Sequence, residues 1–306
     1  MNVQQGLQRV EQLALGSKIT RLSAKPLKYL LGMAFMKIIY PITKKGIMVK
    51  ARTFFGADLQ LVLPSRMDIF LTGGKSHVSE IRLAKFMINT LKEGEQFIDV
   101  GAHLGYFSTL AAHLVGAKGN VLAFEASKNT FALLRKNLQG LPQASCLNQA
   151  VSDENGVLSF YEFPILYSEY NTMEIKQFEQ ENWFIKNKPS KADVTTITLD
   201  EFIIQHHLQP NLIKSDVEGA EYRVLMGMKN FLKNNFKCPI VMEYLNVERH
   251  NTAHQDAANS LRALGYASFI IDPEGKLLAT PDVNRYLLHN NLESDNIVFQ
   301  KNEPSI

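Results

Sequence analysis

The sequence is poor in cysteine, and this scarcity limits both covalent cross-linking and metal chemistry. Only Cys146 and Cys238 occur among 306 residues, and two thiols cannot build the disulfide framework of a small secreted domain. Neither cysteine stands in the close spacing of a metal-binding pair. Internal repeats and low-complexity tracts are also missing. We therefore expect a globular protein of a reducing compartment, the cytoplasm.

A membrane-spanning run and a strong overall charge are missing as well. The apolar segment 27–42 is shorter than the roughly 20 residues that a spanning helix needs, and Lys37 interrupts it. The net charge of +3 is unevenly placed, because residues 1–50 hold nine Lys or Arg and one Glu. The segment thus carries +8 and the remainder −5. This predicts an anionic partner for the segment and no nucleic-acid partner for the body.

The charge asymmetry divides the chain into a basic, apolar helical extension, residues 1–50, and a main domain, residues 51–306. Two roles remain open for the extension. The favoured one is docking on the body or on a partner chain, and the other is peripheral contact of a basic helix with an anionic membrane. Within the main domain, the aromatic-rich segment 162–192 is longer than an ordinary connection. We interpret it as a lid or substrate-side insertion, with a packed surface excursion as the alternative.

The two common phosphate-binding fingerprints are absent, and a different glycine pattern stands in their place. Asp99-Val-Gly-Ala-His-Leu-Gly105 follows an apolar run and matches neither Gly-x-Gly-x-x-Gly nor Gly-x-x-x-x-Gly-Lys. Glycines let the backbone turn sharply and approach a ligand at the carboxyl end of a strand. The spacing fits the loop that holds S-adenosylmethionine. His103, inside the loop, is expected to face ligand or acceptor.

Apolar runs of strand and helix length alternate beyond residue 50, which predicts an α/β, doubly wound and mostly parallel sheet covered on both faces. The predicted strands are 58–63, 67–71, 97–100, 121–124, 147–151, 157–160, 212–215, 240–244, 269–272 and 296–299. The predicted helices are 76–91, 106–115, 129–138, 221–232 and 253–264.

Carboxylates lie at the carboxyl ends of three of these strands. Glu125 lies twenty residues beyond Gly105, where an acidic residue can accept hydrogen bonds from a ribose diol. Asp216 and Glu243 are expected to face one cleft side by side, which raises the pKa of one of them and suits a general base. Asp216 has further candidate roles in holding the cofactor's ammonium group, orienting the acceptor or binding a cation. For Glu243, pairing with a nearby lysine is an equal alternative.

Metal binding has little support in the sequence. Oxygen ligands suit Mg²⁺ or Ca²⁺, so a divalent cation at Asp216 and Glu243 stays open but unsupported. His250 and His254 are spaced for one helix face, but no third ligand is evident, and we expect them to be surface residues. Glu221 is expected only to complement a helix dipole. We predict no metal site.

Taken together, the motifs resemble those of the FkbM-type methyltransferases over residues 76–245. The resemblance rests on Phe97-Ile-Asp-Val-Gly-Ala-His-Leu-Gly-Tyr-Phe-Ser108, Val121-Leu-Ala-Phe-Glu-Ala126, Asn148-Gln-Ala-Val-Ser-Asp153, Leu212-Ile-Lys-Ser-Asp-Val-Glu-Gly-Ala-Glu221 and Ile240-Val-Met-Glu243. It implies a class I methyltransferase (Rossmann-like) fold with a seven-stranded sheet. It also implies S-adenosylmethionine as methyl donor and O-methylation of a hydroxyl on a sugar, glycan or secondary metabolite.

The same resemblance assigns cofactor-binding positions to individual residues. It places Asp99, Gly101, Gly105 and Glu125 on cofactor positions, and the stretch containing Ser152 near the adenine. Three more residues complete the expected cofactor set, because they belong to the same loop or to a strand tip: Ala102, His103 and Asp216. His103 departs from the family pattern, in which asparagine is common.

The predicted function is an S-adenosylmethionine-dependent methyltransferase with Asp216 or Glu243 as the base. A nicotinamide oxidoreductase is the rival enzyme class, and the missing dinucleotide fingerprint argues against it. The alternative from another class is a methyltransferase-like binding protein that acts through residues 1–50 without catalysis. Neither the acceptor nor the oligomeric state follows from the sequence.

Overall fold

The computed structural model describes residues 2–173, 175, 182–234, 237–249 and 252–301. Within these residues, an eight-stranded sheet stands beside a two-stranded and a three-stranded sheet. The strands are β1 (Ile47–Arg52), β2 (Asp58–Leu63), β3 (Gln96–Val100), β4 (Asn120–Phe124), β5 (Ala144–Leu147), β6 (Ala150–Val151), β7 (Gly156–Glu162), β8 (Ser190–Ile197), β9 (Leu212–Ser215), β10 (Ile240–Leu245), β11 (Tyr266–Ile271), β12 (Leu277–Ala279) and β13 (Ser294–Lys301).

Helices connect the strands and cover the large sheet. They are α1 (Val3–Leu15), α2 (Lys18–Ala24), α3 (Pro26–Ala34), α4 (Tyr40–Thr43), α5 (Met67–Thr72), α6 (Val78–Thr90), α7 (Tyr106–Val115), α8 (Lys128–Leu138), α9 (Asn182–Lys186), α10 (Leu199–Gln205), α11 (Glu221–Met226), α12 (Lys229–Asn234), α13 (Thr252–Ala263) and α14 (Val283–His289). A π-helical turn, Phe35–Ile39, joins α3 to α4, and 3₁₀ turns lie at Ile165–Tyr170 and Val247–Arg249. The predicted α/β fold is confirmed.

The order of the large sheet is β12-β11-β13-β10-β9-β3-β4-β5. The five neighbouring strands β10, β9, β3, β4 and β5 run parallel. β13 is antiparallel to both β10 and β11. The implied seven strands gain an eighth, β12, through a hairpin with β11. The chain order reverses at β3, which has β4 on one side and the much later β9 on the other. Such a reversal opens a ligand crevice at the carboxyl ends of the strands.

Apolar layers cover both faces of this sheet. One layer joins residues of β3, β4 and β10 such as Phe97 to α6 and α7, and the other joins residues such as Ile98 to α11 and α13. Phe97 and Ile98 belong to opposite layers because successive side chains alternate along a strand. Strands buried on both faces read as continuous apolar runs, which is why the central strands are recognisable in the sequence.

The N-terminal residues begin with a packed helix. Leu7, Val10 and Leu13 of α1 are buried, and Glu11 pairs with Lys85 of α6 at 2.7 Å. The boundary expected at residue 50 falls inside β1, which pairs with β2 along its full length. Among the described residues, we find no helix that combines the length and hydropathy needed to cross a bilayer.

Three local predictions are wrong. Residues 67–71 form helix α5, which ends at Gly73 in the left-handed region, because a short apolar run does not distinguish strand from helix. The helix predicted over 221–232 is divided into α11 and α12 near Gly227, where an added Cβ would lie 1.9 Å from the Ser152 carbonyl oxygen. The strand predicted over 147–151 is two strands, β5 and β6, that belong to different sheets.

Candidate active site

A cavity of about 450 Å³ lies at the carboxyl ends of β3, β4, β9 and β10. It contains the switch point at which the strand order reverses. Its wall includes the turn after β3, the tips of the other three strands, and part of the segment 168–173. The volume is within the range of about 300–1,000 Å³ typical of small-ligand sites.

The turn after β3 depends on two glycines in the left-handed region. Gly101 has a φ of +75°, and an added Cβ would lie 1.8 Å from the Asp216 carbonyl oxygen. The Gly101 N–H also donates to the Phe124 carbonyl oxygen at 3.0 Å. Gly105 has a φ of +85°, with Leu134 Cδ1 at 2.6 Å from an added Cβ. The glycines therefore allow the ends of β3, β4 and β9 to approach one another, and α7 begins directly after them.

Glu125 lies on the cavity wall and binds this turn. The His103 N–H donates to Glu125 Oε2 at 2.8 Å, and the Ser127 N–H donates to Oε1 at 3.0 Å. Burial raises the pKa of Glu125 to about 7, although both backbone donors favour its ionised form. Ala102 and His103 are also on the wall. Burial, together with nearby cations, holds the pKa of His103 well below its usual value, so its ring is neutral at pH 7.

Three of the expected cofactor residues, Asp99, Gly105 and Ser152, lie outside the cavity wall. Asp99 is buried beneath it, where its Oδ2 accepts a hydrogen bond from the Ser108 hydroxyl at 2.6 Å. Its Oδ1 has no hydrogen-bond partner among the described residues and lies 3.6 Å from Lys214 Nζ. Ser152 is fully buried, and its hydroxyl donates to Asp153 Oδ1. The residues before it, Ala150 and Val151, line the cavity instead.

Asp216 and Glu243 are brought together by the pairing of β9 with β10. Met242 pairs with Ser215 in parallel register, so the next residues, Asp216 and Glu243, lie side by side at the carboxyl end of β9. Glu243 itself stays in β10, where it pairs with Asn296 of β13. Both carboxylates line the cavity. Lys214, two residues before Asp216, reaches the same point, with Nζ 3.1 Å from Asp216 Oδ2.

The three groups differ in protonation. Burial raises the pKa of Glu243 to about 8, and the charge of Asp216 adds to the effect. Burial opposes the ionisation of Asp216, but Lys214, Lys75 and a hydrogen bond with Glu243 lower its pKa. Burial also opposes the charge of Lys214, yet Asp216 and Asp99 raise its pKa. Near pH 7 Asp216 is ionised, Lys214 is charged, and Glu243 holds a proton.

Glu218 is a third carboxylate at this edge, in a loop that Glu221 holds in place. Glu218 has a left-handed φ of 54°. Glu221 accepts hydrogen bonds from the N–H groups of Val217 at 3.1 Å and Gly219 at 3.0 Å. Its Oε2 also lies 3.2 Å from Nε2 of the buried His254. Glu221 thus does more than complement a helix dipole, and His254 is not the surface residue we expected; His250 lies outside the described residues.

The carboxylates of Asp216, Glu218 and Glu243 form a candidate cation cluster. One ligand atom from each lies within 4.8 Å of the others, and oxygen ligands suit Mg²⁺ or Ca²⁺. Burial and the charges of Glu243 and Asp216 raise the pKa of Glu218 well above its usual value. A cation here would compete with the protons that these groups share.

Part of the predicted lid lies on the cavity wall. Wall residues from this segment are Ser168, Glu169, Tyr170, Asn171 and Met173. The Ser168 hydroxyl is 2.8 Å from His103 Nε2, and Tyr170 stacks on Trp183 at 4.3 Å between ring centroids. Residues 174 and 176–181, with the predicted lid aromatic Phe178, lie outside the described residues.

Sequence reasoning missed the cations of the site. Lys214 had a usable signal, since it interrupts an apolar strand and lies on the same face as Asp216 two residues later. Arg66 had no usable signal, because the residues after it were expected to form a strand and nothing in the sequence placed that segment beside the glycine turn. Its Nη1 donates to Glu169 Oε2 at 2.7 Å, and its Nη2 lies 3.4 Å from His103 Nε2. Lys75, paired with Glu80, lies on the wall as well.

Comparison with known proteins agrees with the glycine turn and the acidic strand tips. A sequence model described as "Methyltransferase FkbM domain" matches residues 99–268, which run from the end of β3 into β11. The hexuronic acid methyltransferase AglP of Haloferax volcanii is 27% identical over 152 residues, covering 49% of this chain and 56% of that protein. The chain thus spans little more than half the length of this relative.

A second relative and two solved structures give a wider view. "Methyltransferase 1" of Beauveria bassiana is 27% identical over 207 residues, covering 62% of this chain and 78% of that protein. Aeropyrum pernix fibrillarin, solved with natively bound S-adenosyl-L-methionine, overlaps at a TM-score of 0.40 and 11% identity, covering 71% of this chain and 73% of its own. A Thermotoga maritima SAM-dependent O-methyltransferase overlaps at a TM-score of 0.38 and 14% identity, covering 88% and 83%.

TM-scores of this size do not establish a shared fold, so the fold assignment rests on the strand order itself. Family membership rests on the sequence match, which covers more than half of the chain and contains the glycine turn and all three acidic strand tips. The chain belongs to the methyltransferase FkbM domain family.

Proposed function

We propose that the chain is an S-adenosylmethionine-dependent O-methyltransferase that modifies a hydroxyl of a sugar, glycan or small metabolite. One observation carries the proposal. The glycine turn, Glu125 and the Asp216–Glu243 pair line a single cavity at the switch point of the sheet. A donor site and a base for the acceptor are therefore available within one pocket.

The acidic residues of the wall support a cationic donor, because a bound positive charge lowers the pKa of neighbouring carboxyl groups and favours their ionised forms. Six carboxylates line the cavity, namely Glu80, Glu125, Glu169, Asp216, Glu218 and Glu243, against the three cations Arg66, Lys75 and Lys214. Glu125 keeps unused acceptor capacity on both oxygens and is the candidate ligand for the ribose hydroxyls. Ala150 and Val151 offer apolar wall for the adenine. Asp99, which is buried beneath the cavity wall, contributes indirectly by forming an ion pair with Lys214.

Glu243 is the proposed general base, and Asp216 and Lys214 set its protonation. When bound, S-adenosylmethionine supplies an electrophilic methyl carbon on its sulfonium. Glu243 takes the proton of the acceptor hydroxyl. A general base of this kind accelerates methyl transfer by roughly 10²–10⁴-fold. Asp216, kept ionised by Lys214, accepts the hydrogen bond of protonated Glu243. Alignment of the acceptor in the cavity supplies the larger share of the rate acceleration, up to about 7–11 kcal/mol.

The name of the Haloferax relative supports a sugar as acceptor. That protein is described as a hexuronic acid methyltransferase, at 27% identity to this chain. A hydroxyl acceptor suits Glu243, because a carboxyl group whose pKa is about 8 is a stronger base than an ordinary carboxylate.

Calorimetry with S-adenosylmethionine and a methyl-transfer assay test the donor and base roles separately. Glu125→Gln removes a charged acceptor, so we expect the Kd for the donor to rise about 10–100-fold. Glu243→Gln mimics the neutral form present at pH 7, so the Kd should stay within about threefold while transfer falls by roughly 10²-fold or more. The exposed Glu274→Gln is the matched control and should change neither quantity.

The assay uses a methyl-labelled donor with a panel of sugars and small hydroxylated metabolites, and mass spectrometry locates the label. Label on a hydroxyl oxygen supports the proposal. Folded wild-type protein that binds no donor at millimolar concentration would overturn it. Equal rates of methyl transfer by wild type and Glu243→Gln would show that Glu243 is not the general base. The proposal of donor binding would be unaffected by that result.

A further inference from the structure

A continuous stripe of large apolar side chains is exposed on the helical run Pro26–Thr43. Five side chains of this run are between 57% and 79% exposed, namely Leu27, Leu30, Leu31, Ile38 and Ile42. Leu27, Leu30 and Leu31 are three and four residues apart in α3, and Ile38 and Ile42 are four residues apart, so the members of each group share one side of the run. The π-helical turn Phe35–Ile39 joins the two groups. We call these five residues the outer stripe. A contiguous apolar surface of this kind marks an interaction site rather than ordinary surface.

The opposite side of the same run is packed against the body. An added Cβ at Gly32 would lie 3.0 Å from Met67 Sδ of α5, and Phe35 is buried with Met67. Lys28 lies with Nζ 4.5 Å from the ring centroid of Phe70. The run is therefore held on α5 by its inner side, and this packing fixes the outer stripe towards solvent.

Basic residues surround the stripe and acidic residues are absent from it. The sequence from residue 12 to residue 57 contains no Asp or Glu. Five lysines of the extension are exposed, namely Lys18, Lys25, Lys37, Lys44 and Lys45. Among the residues that the structure describes, none of these five lysines forms an ion pair with a carboxylate. Their charge is available to an anionic surface.

We propose that the outer stripe and its five lysines dock the protein on the surface of an anionic phospholipid bilayer. An apolar helix face inserts into the headgroup region while lysines reach the lipid phosphates, which is how interfacial helices bind. A second copy of the chain is disfavoured, because two such faces would bring like charges together.

The docking surface adjoins the cavity through α5 and the 3₁₀ turn Ile165–Tyr170. Arg66, the residue before α5, lies on the cavity wall. Gly46, just after the helical run, packs against Leu166, 2.8 Å from the position of an added Cβ. Binding to a bilayer would therefore place the wall elements of the cavity close to the lipid surface.

Vesicle flotation with the full chain tests the proposal without reference to catalysis. The probes are vesicles of phosphatidylcholine alone and vesicles with about 30% phosphatidylglycerol. We expect binding to the anionic vesicles that weakens with salt, and little binding to the neutral ones. The variant Leu31→Glu/Ile38→Glu should lose binding at least tenfold. Lys44→Gln/Lys45→Gln should weaken it about 25-fold, since each lysine near the surface contributes about fivefold.

Matched controls separate the stripe from general effects. Ile204→Glu changes an exposed isoleucine of α10, and Lys118→Gln/Lys136→Gln removes two exposed lysines elsewhere; all of these should bind as wild type does. Circular dichroism confirms that each variant is folded. Wild-type protein that ignores anionic vesicles, or stripe variants that bind as wild type, would overturn the proposal. So would sedimentation velocity showing a wild-type dimer that the stripe variants abolish, because the occupant would then be a second copy.

Discussion

Lys214 joins the end of β9 to two carboxylates, and its removal tests the electrostatics of the site directly. Its Nζ lies 3.6 Å from Asp99 Oδ1 and 3.1 Å from Asp216 Oδ2, and 4% of its side chain is exposed. The variant Lys214→Met deletes the charge and keeps an unbranched apolar stem of similar reach. Asp99 and Asp216 then lose their shared cation.

The expected loss of stability follows from the burial of the two carboxylates. Removing one partner of a buried ion pair costs about 3–5 kcal/mol, because the remaining charge is left desolvated and unpaired. Asp99, whose side chain is 1% exposed, bears this penalty in full, whereas Asp216 is 31% exposed and is partly solvated. We therefore expect the free energy of unfolding to fall by about 3 kcal/mol at pH 7, the lower end of that range.

The loss should shrink as the pH falls. In the wild type the pKa of Asp216 is lowered, so its contribution is present above its unfolded pKa and disappears as the pH falls through the folded one. Without Lys214, burial raises the folded pKa of Asp216 above its unfolded value, and protonation then relieves the penalty. Wild type and variant should thus differ less at pH 5 than at pH 7.

Urea unfolding followed by circular dichroism at both pH values measures these differences. The exposed Lys136→Met of α8 is the matched control and should stay within about 0.5 kcal/mol of wild type. The double variant Asp99→Asn/Lys214→Met removes the stranded charge and should recover part of the loss. An unchanged unfolding midpoint for Lys214→Met, or a loss that is the same at both pH values, would refute the electrostatic reasoning.

Two further predictions concern the base and the turn. If Glu243 takes the acceptor's proton, with a pKa of about 8, kcat/KM should rise about tenfold from pH 7 to pH 9 as the ionised fraction grows. A pH–rate profile that is flat over this interval would contradict that role. Gly101→Ala should lower the thermal midpoint far more than Gly140→Ala, because both glycines have positive φ but only the first would place a Cβ 1.8 Å from a backbone oxygen. Equal shifts in differential scanning calorimetry would show that the close approach is not rigid.

The sequence predicted those parts of the fold and site whose causes are local. Helix α7 has the predicted bounds, Tyr106–Val115, because a glycine turn begins it and Gly116 follows it. The acidic residues Glu125, Asp216 and Glu243 lie on the cavity wall, since each comes directly after, or near the end of, a recognisable apolar strand. Parallel strands end at one edge of a sheet, so strand order was enough to bring these residues together.

Other features depend on segments that meet only in the folded chain. Asp99 and Ser152 match the expected motifs, yet side-chain direction and the contact with Gly227 place both of them outside the cavity wall. His254 lies against Glu221 because α13 packs on α11. Spacing along the sequence holds no information on either contact, since each joins residues that are far apart in the chain.

By itself the sequence determined the α/β alternation, the glycine turn and the carboxylates at the strand tips, because apolar periodicity and backbone freedom are properties of short segments. The tertiary structure alone decided the protonation of those carboxylates. Burial and the charge of Asp216 raise the pKa of Glu243, whereas the charges of Asp216 and Asp99 raise the pKa of Lys214 against the effect of its burial. Such shifts depend on distances and on desolvation, and both are set only when the sheet and its helices have assembled.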